Sequence, residues 1–75
     1  MRKYYFDLRH GDKVSEDEEG MLLPNLEEVQ KESLMALAGM ATALSVFPSS
    51  MAVEVRDEDG SVMRVRVVFE IDRTN

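Results

Sequence analysis

The sequence contains no cysteine, so neither a disulfide nor a thiolate metal site supplements its core, and nothing marks it for an oxidising compartment. Its four glycines stand apart at positions 11, 20, 39 and 60, which excludes a glycine-rich phosphate loop. No apolar run approaches the ~18 residues that span a bilayer. The basic start Met1-Arg2-Lys3 is interrupted by Asp7 and Arg9 before a signal-peptide core can develop. The expectation is a cytoplasmic protein with no membrane association. Cations are scarce too: nine Lys and Arg against fifteen Asp and Glu give a net charge of -6. Sequence-independent nucleic-acid binding rests on an excess of cations, so this balance argues against it.

What is present is 75 residues that are 44% hydrophobic, the composition of a single globular domain over residues 1–75. A chain this short buries only ~60% of its unfolded surface, which excludes a multi-domain enzyme and leaves little room for a catalytic cleft. Tyr4, Phe6 and Leu8 alternate with Lys3, Tyr5, Asp7 and Arg9, the period-two pattern of a half-buried strand. Residues 10–20 are polar, with Val14 the one apolar side chain, and read as a surface loop ending in Glu16-Asp17-Glu18-Glu19-Gly20. Residues 20–23 admit a short extra strand.

Pro24-Asn25-Leu26-Glu27-Glu28 starts a helix: the Asn25 side chain can accept the Glu28 amide while the Glu28 carboxylate reaches back, a capping box. Leu26, Val29, Ser33, Leu37, Met40 and Leu44 fall on one stripe, widened by Leu34 and Ala41, and this is the expected buried face. Gly39 lies opposite, with Met35 facing outward beside it. The helix ends by Phe47-Pro48-Ser49-Ser50.

Two strands follow: Met51, Val53 and Val55 alternate with Ala52, Glu54 and Arg56, and Met63, Val65, Val67, Phe69 and Ile71 alternate with Arg64, Arg66, Val68 and Glu70. A two-residue Asp59-Gly60 turn would set Val55 opposite Arg64 and mismatch the faces. A three-residue loop, Glu58-Asp59-Gly60, sets Val55 opposite Met63, Val53 opposite Val65 and Glu54 opposite Arg64, and requires Gly60 at positive φ. A helix crossover makes the first and second long strands parallel. The third, being the most continuously apolar, is then expected at the centre, between the other two. The expected fold is α+β: a two-layer sandwich of one helix on a three-stranded antiparallel sheet, β-α-β-β, order 1-3-2.

Tyr4-Tyr5-Phe6-Asp7-Leu8-Arg9, Asp17-Glu18-Glu19-Gly20, Leu23-Pro24, a Leu- and Ala-rich helix, and Val53 to Gly60 occur in that order. In these features the chain resembles an uncharacterised family of short alphaproteobacterial proteins classed as a domain of unknown function. The resemblance covers essentially the whole chain and implies a self-contained bacterial domain. It implies no activity, ligand or catalytic residue.

Candidate chemistry is sparse. The acidic run Asp12 and Glu16 to Glu19 could offer oxygens to a divalent cation, but neighbouring residues on a loop are not fixed ligands. Asp57-Glu58-Asp59-Gly60 has Val55 where a calcium loop needs its first ligand. His10, the single histidine, could act as a base beside the acidic loop, yet no nucleophile accompanies it, and Ser49-Ser50 lacks a G-x-S-x-G context. No catalytic residue, cofactor or metal site is assigned. The outer sheet face carries Lys3, Arg9, Arg56, Arg64 and Arg66 against Asp7, Glu54 and Glu70, a local excess of positive charge, with Tyr5 and Val68 as apolar anchors. The reading is a non-enzymatic interaction or regulatory module acting through its open sheet face or its exposed strand edges. Its interaction face is Tyr5, Arg56, Arg64, Arg66 and Val68, and its partner is a protein or a second copy of the chain. A metal-dependent or enzymatic factor using His10 and residues 12–19, and weak single-stranded nucleic-acid binding by the sheet face, are the alternatives.

Overall fold

A computed structural model describes residues 1–43 and 50–74. The alternation at the start folds as β1 (Arg2–His10). The polar stretch after it is not all loop: Gly11-Asp12 forms a two-residue tip and the chain returns as β2 (Lys13–Ser15), with His10 opposite Lys13 and Leu8 opposite Ser15. β3 (Met21–Leu23) is the short extra strand, antiparallel to the other end of β1, with Arg2 opposite Leu23. β2 and β3 thus divide one edge of β1 between them.

The helix α1 (Leu26–Ala43) begins where the cap places it, the Glu28 amide donating to Asn25 Oδ1 at 2.9 Å. The Glu28 carboxylate makes no return bond to Asn25, so half of the expected capping box forms. Val29, Ser33 and Leu37 are buried, and the Ser33 hydroxyl donates to the Val29 carbonyl, which satisfies a polar group inside the core. The buried stripe is narrower than expected. Leu26 and Leu34 are each about half exposed, and Met40 and Ala41 are half-buried. Leu44 and Phe47-Pro48-Ser49 lie outside the described residues.

β4 (Ser50–Asp57) and β5 (Gly60–Val68) form the expected hairpin. Val55 faces Met63, Glu54 faces Arg64 and Val53 faces Val65, and Gly60 has φ 123°. The loop itself is shorter than expected: Asp57 pairs with Gly60 across a two-residue tip, and the extra residue is Val62, bulged between Val55 and Arg56 of the facing strand. The parity argument required one unpaired residue, and a bulge supplies it as well as a longer loop does.

The strand order is β2-β1-β4-β5, all antiparallel, with β3 also on β1, which makes five strands among the described residues instead of three. The order 1-3-2 is therefore corrected: β4, not β5, is central. The crossover rule applies to the strand that immediately precedes the helix, and that strand is β3. β3 and β4 both run antiparallel to β1, hence parallel to one another, with α1 crossing over β1 between them. Burial agrees, since Met51, Ala52, Val53 and Val55 of β4 are buried while β5 has no buried residue. Ala52, on the open face, lies between Arg9 and Arg66 on its two neighbours. β5 ends at Val68 opposite Ser50, so residues 69–71, expected in the strand, run past it, with Phe69 packed against the core. The helix covers one face and the other is open, the expected two-layer α+β arrangement.

Candidate functional site

On the open face Arg56 lies directly opposite Tyr5 and diagonal to Asp7, because Tyr5 pairs with Arg56 and Asp7 with Glu54 in the β1–β4 ladder. The guanidinium stacks 4.5 Å from the Tyr5 ring centroid and its Nε donates to Asp7 Oδ2 at 2.9 Å. Arg56 Nη2 also reaches across β1 to donate to the Asp17 carbonyl at 2.9 Å. The remaining Asp7 oxygen accepts the Asp17 amide.

Asp17 closes the arrangement. Between the stretch of β1 paired with β3 and the stretch paired with β2, the Phe6 amide has no strand to donate to, and it donates to Asp17 Oδ2 at 3.1 Å. Asp17 Oδ1 accepts from the Glu19 and Gly20 amides. One carboxylate therefore replaces the missing stretch of partner strand and folds its own loop. Gly20, at φ 74°, lets that loop pass so close that an added Cβ would lie 2.9 Å from Lys3 Cε and 3.0 Å from Tyr5 Cε1. Burial disfavours the Asp17 anion, but the three backbone donors and the Arg56 charge outweigh it and hold the carboxyl below its ordinary value. The bond to Asp7 is the main influence that raises Arg56 further into its charged range.

Asp7 and Glu54, like charges directly opposite, are compensated separately. Arg56 takes Asp7, while Arg64 Nη2 and Arg9 Nε approach Glu54 Oε1 at 2.9 and 3.3 Å. The sequence-derived interaction face is thus split. Tyr5 and Arg56 are half-buried and are joined with Asp7 and Asp17 in one cluster on the open face. Arg64, Arg66 and Val68 remain exposed along β5, Val68 at 61%, and Arg66 has no carboxylate partner among the described residues. In the sequence Asp7 is read among the face charges and Asp17 in the acidic run, but neither they nor Gly20 are joined there to Tyr5 and Arg56. The sequence signal for Asp17 was its placement two residues before Glu19 and three before glycine, where an aspartate bonds its own following amides.

His10 ends β1 opposite Lys13 and Met51, four residues along the strand from the Phe6 amide that holds Asp17. It lines a concavity of about 350 Å³ with Leu8, Lys13, Val14, Ser15 and Met40, near the lower end of small-molecule sites. Among the described residues no three His, Asp or Glu side chains are grouped so that they could hold a metal ion, and Asp17 of the acidic run has its carboxylate occupied by backbone amides. Ser50 begins β4, and Ser49 lies outside the described residues. No helix among the described residues is long and apolar enough to cross a membrane.

Residues 3–68 match a family described as a domain of unknown function, DUF6894. No curated protein and no solved structure matches the chain.

Proposed function

The chain belongs to the DUF6894 family, and from that premise, which carries no activity, we propose that it is a small non-enzymatic interaction or regulatory module working through β5 and the open face beside it. The observation that carries this reading is the contrast between the two edges of the sheet. The outer edge of β1 is occupied along its length by β2, Asp17 and β3. β5 is a nine-residue terminal strand with β4 on one side, and it displays Arg64, Arg66 and Val68. A long edge with an exposed apolar residue is a template for another chain. Arginine beside an exposed apolar side chain suits a protein partner, while the net charge of -6 disfavours a polyanion. An alphaproteobacterial, cytoplasmic setting belongs to the same proposal.

The test is affinity capture from the native extract with the full chain immobilised, comparing wild type with Arg66→Glu and Val68→Asp, two exposed changes that leave the Asp7, Asp17 and Arg56 cluster intact. Loss of the captured protein with both variants supports the reading. Capture unaffected by either sinks it.

A further inference from the structure

On the open face β5 carries Arg64, Arg66 and Val68, and the same alternation in the sequence continues past the strand with Glu70 and Asp72: two positive charges, one apolar residue and two negative charges. Read in the reverse direction, the string is its own complement. We infer that β5 and residues 69–72 pair antiparallel with the same segment of a second copy, about a two-fold axis at Val68. The inference rests on the proposed role of the β5 edge and names its occupant.

In that register Arg66 lies opposite the partner's Glu70 and Arg64 opposite the partner's Asp72, and the symmetry repeats both pairs. Val68, 61% exposed in the single chain, meets the partner's Val68 on the axis, and Val65 faces the partner's Ile71, which is 75% exposed in the single chain. Arg66, which has no ionic partner among the described residues, gains one. Neighbouring even registers do worse. Centring on Arg66 sets that arginine against the partner's Arg66, and centring on Val67 sets Arg66 against the partner's Val68 and leaves Asp72 opposite the partner's Val62. Odd registers place the charged face against the core face.

The geometry of the edge is compatible. The bulge at Val62 lies outside the nine paired residues 64–72, so it does not interrupt the new ladder. Residues 69–72 keep the alternation in sequence, lie outside any strand in the single chain, and follow Val68, which is opposite Ser50 where β4 begins. Pairing would join the two sheets edge to edge, with both helices on one side and the two open faces on the other.

The test uses the full chain in a dilution series followed by sedimentation equilibrium. Wild type is expected to move from 8.5 kDa toward twice that mass as concentration rises. Glu70→Lys with Asp72→Lys changes only exposed residues outside any helix or strand, and is expected to weaken self-association roughly tenfold or more. Mixing it with the Arg64→Glu, Arg66→Glu chain should restore the doubled mass as a heterodimer. The chain is free of cysteine, so Val68→Cys reports the axis directly: it should cross-link to its copy under mild oxidation faster than Arg66→Cys. A wild type that stays at single mass at high concentration overturns the inference, and so does a dimer that ignores the charge reversal or cross-links better through Arg66→Cys. If the chain is monomeric while a different protein is still captured through β5, self-pairing fails and the interaction surface stands.

Discussion

Replacing Asp17 with alanine tests whether one loop carboxylate holds the outer edge of β1 together. The substitution removes the acceptor for three amides, those of Phe6, Glu19 and Gly20. The Phe6 amide is half-buried between two paired stretches of strand, and leaving such a donor without a partner costs about 1–3 kcal/mol. The Glu19 and Gly20 amides lie near solvent and can turn to water, so each contributes about 0.5 kcal/mol. The sum, about 2–4 kcal/mol, corresponds to a fall in Tm of roughly 10–25 °C for a domain of this size. Urea unfolding followed by far-UV circular dichroism at pH 7 reads it. Asp17→Asn keeps one oxygen but loses the charge and one acceptor, and is expected to fall between alanine and wild type.

The pH dependence has a definite sign. Because the folded Asp17 carboxyl titrates below its ordinary 3.8, its contribution is complete above the unfolded value and is lost as pH falls through the folded one. The gap between wild type and Asp17→Asn should therefore be constant near neutrality and close in acid below pH about 4. A loss below about 0.5 kcal/mol on Asp17→Ala, or a gap that widens in acid, would refute the role given to Asp17 in closing the gap along β1.

Gly20→Ala combines a positive φ with an approach to Tyr5 and Lys3, and is expected to destabilise by about 1–3 kcal/mol in the same unfolding assay. Gly39→Ala has open space around its Cβ within α1, and should stabilise by about 1 kcal/mol, so that the two glycine changes move the urea midpoint in opposite directions. Asn25→Ala removes the acceptor of the Glu28 amide and should cost about 1 kcal/mol, with the first turn of α1 losing hydrogen-exchange protection before the strands do.

The parts of this fold that were legible in the sequence are those decided by local chemistry or by parity. Asn25 caps the helix because only a side-chain oxygen there can take the Glu28 amide. Val55 faces Met63 because any odd slip would carry charged residues into the core. The strand order was not legible, because it turned on whether three residues, Met21 to Leu23, form a strand. Once they do, the parallel crossover joins them to β4 and β1 is enclosed between the two. The apolarity of residues 65–71 misled for a related reason: Val68 and Ile71 are exposed, and the apolar character there does not report burial. The candidate site divided in the same way. Tyr5 and Arg56 were correctly placed on one face by alternation, but Asp17 stood in a run of acidic residues that reads as solvated. Only the gap between β3 and β2 on β1 gives its carboxylate a fixed set of donors.

That gap also explains why the two edges of the sheet differ. An edge is guarded when its backbone groups are taken or when its charges repel an incoming strand. β1 is guarded in the first way, by two short strands and a carboxylate. β5 carries Arg64 and Arg66, which guard in the second way against any strand with cations at matching positions, and against its own copy in parallel register, where each arginine would meet itself. Against its own copy in antiparallel register centred on Val68 the same charges attract, because Glu70 and Asp72 follow at the mirrored spacing. In the inferred self-pairing the arginines would thus admit an antiparallel copy where a proline or a covering loop would exclude every strand, and the acidic residues that follow β5 would complete the match.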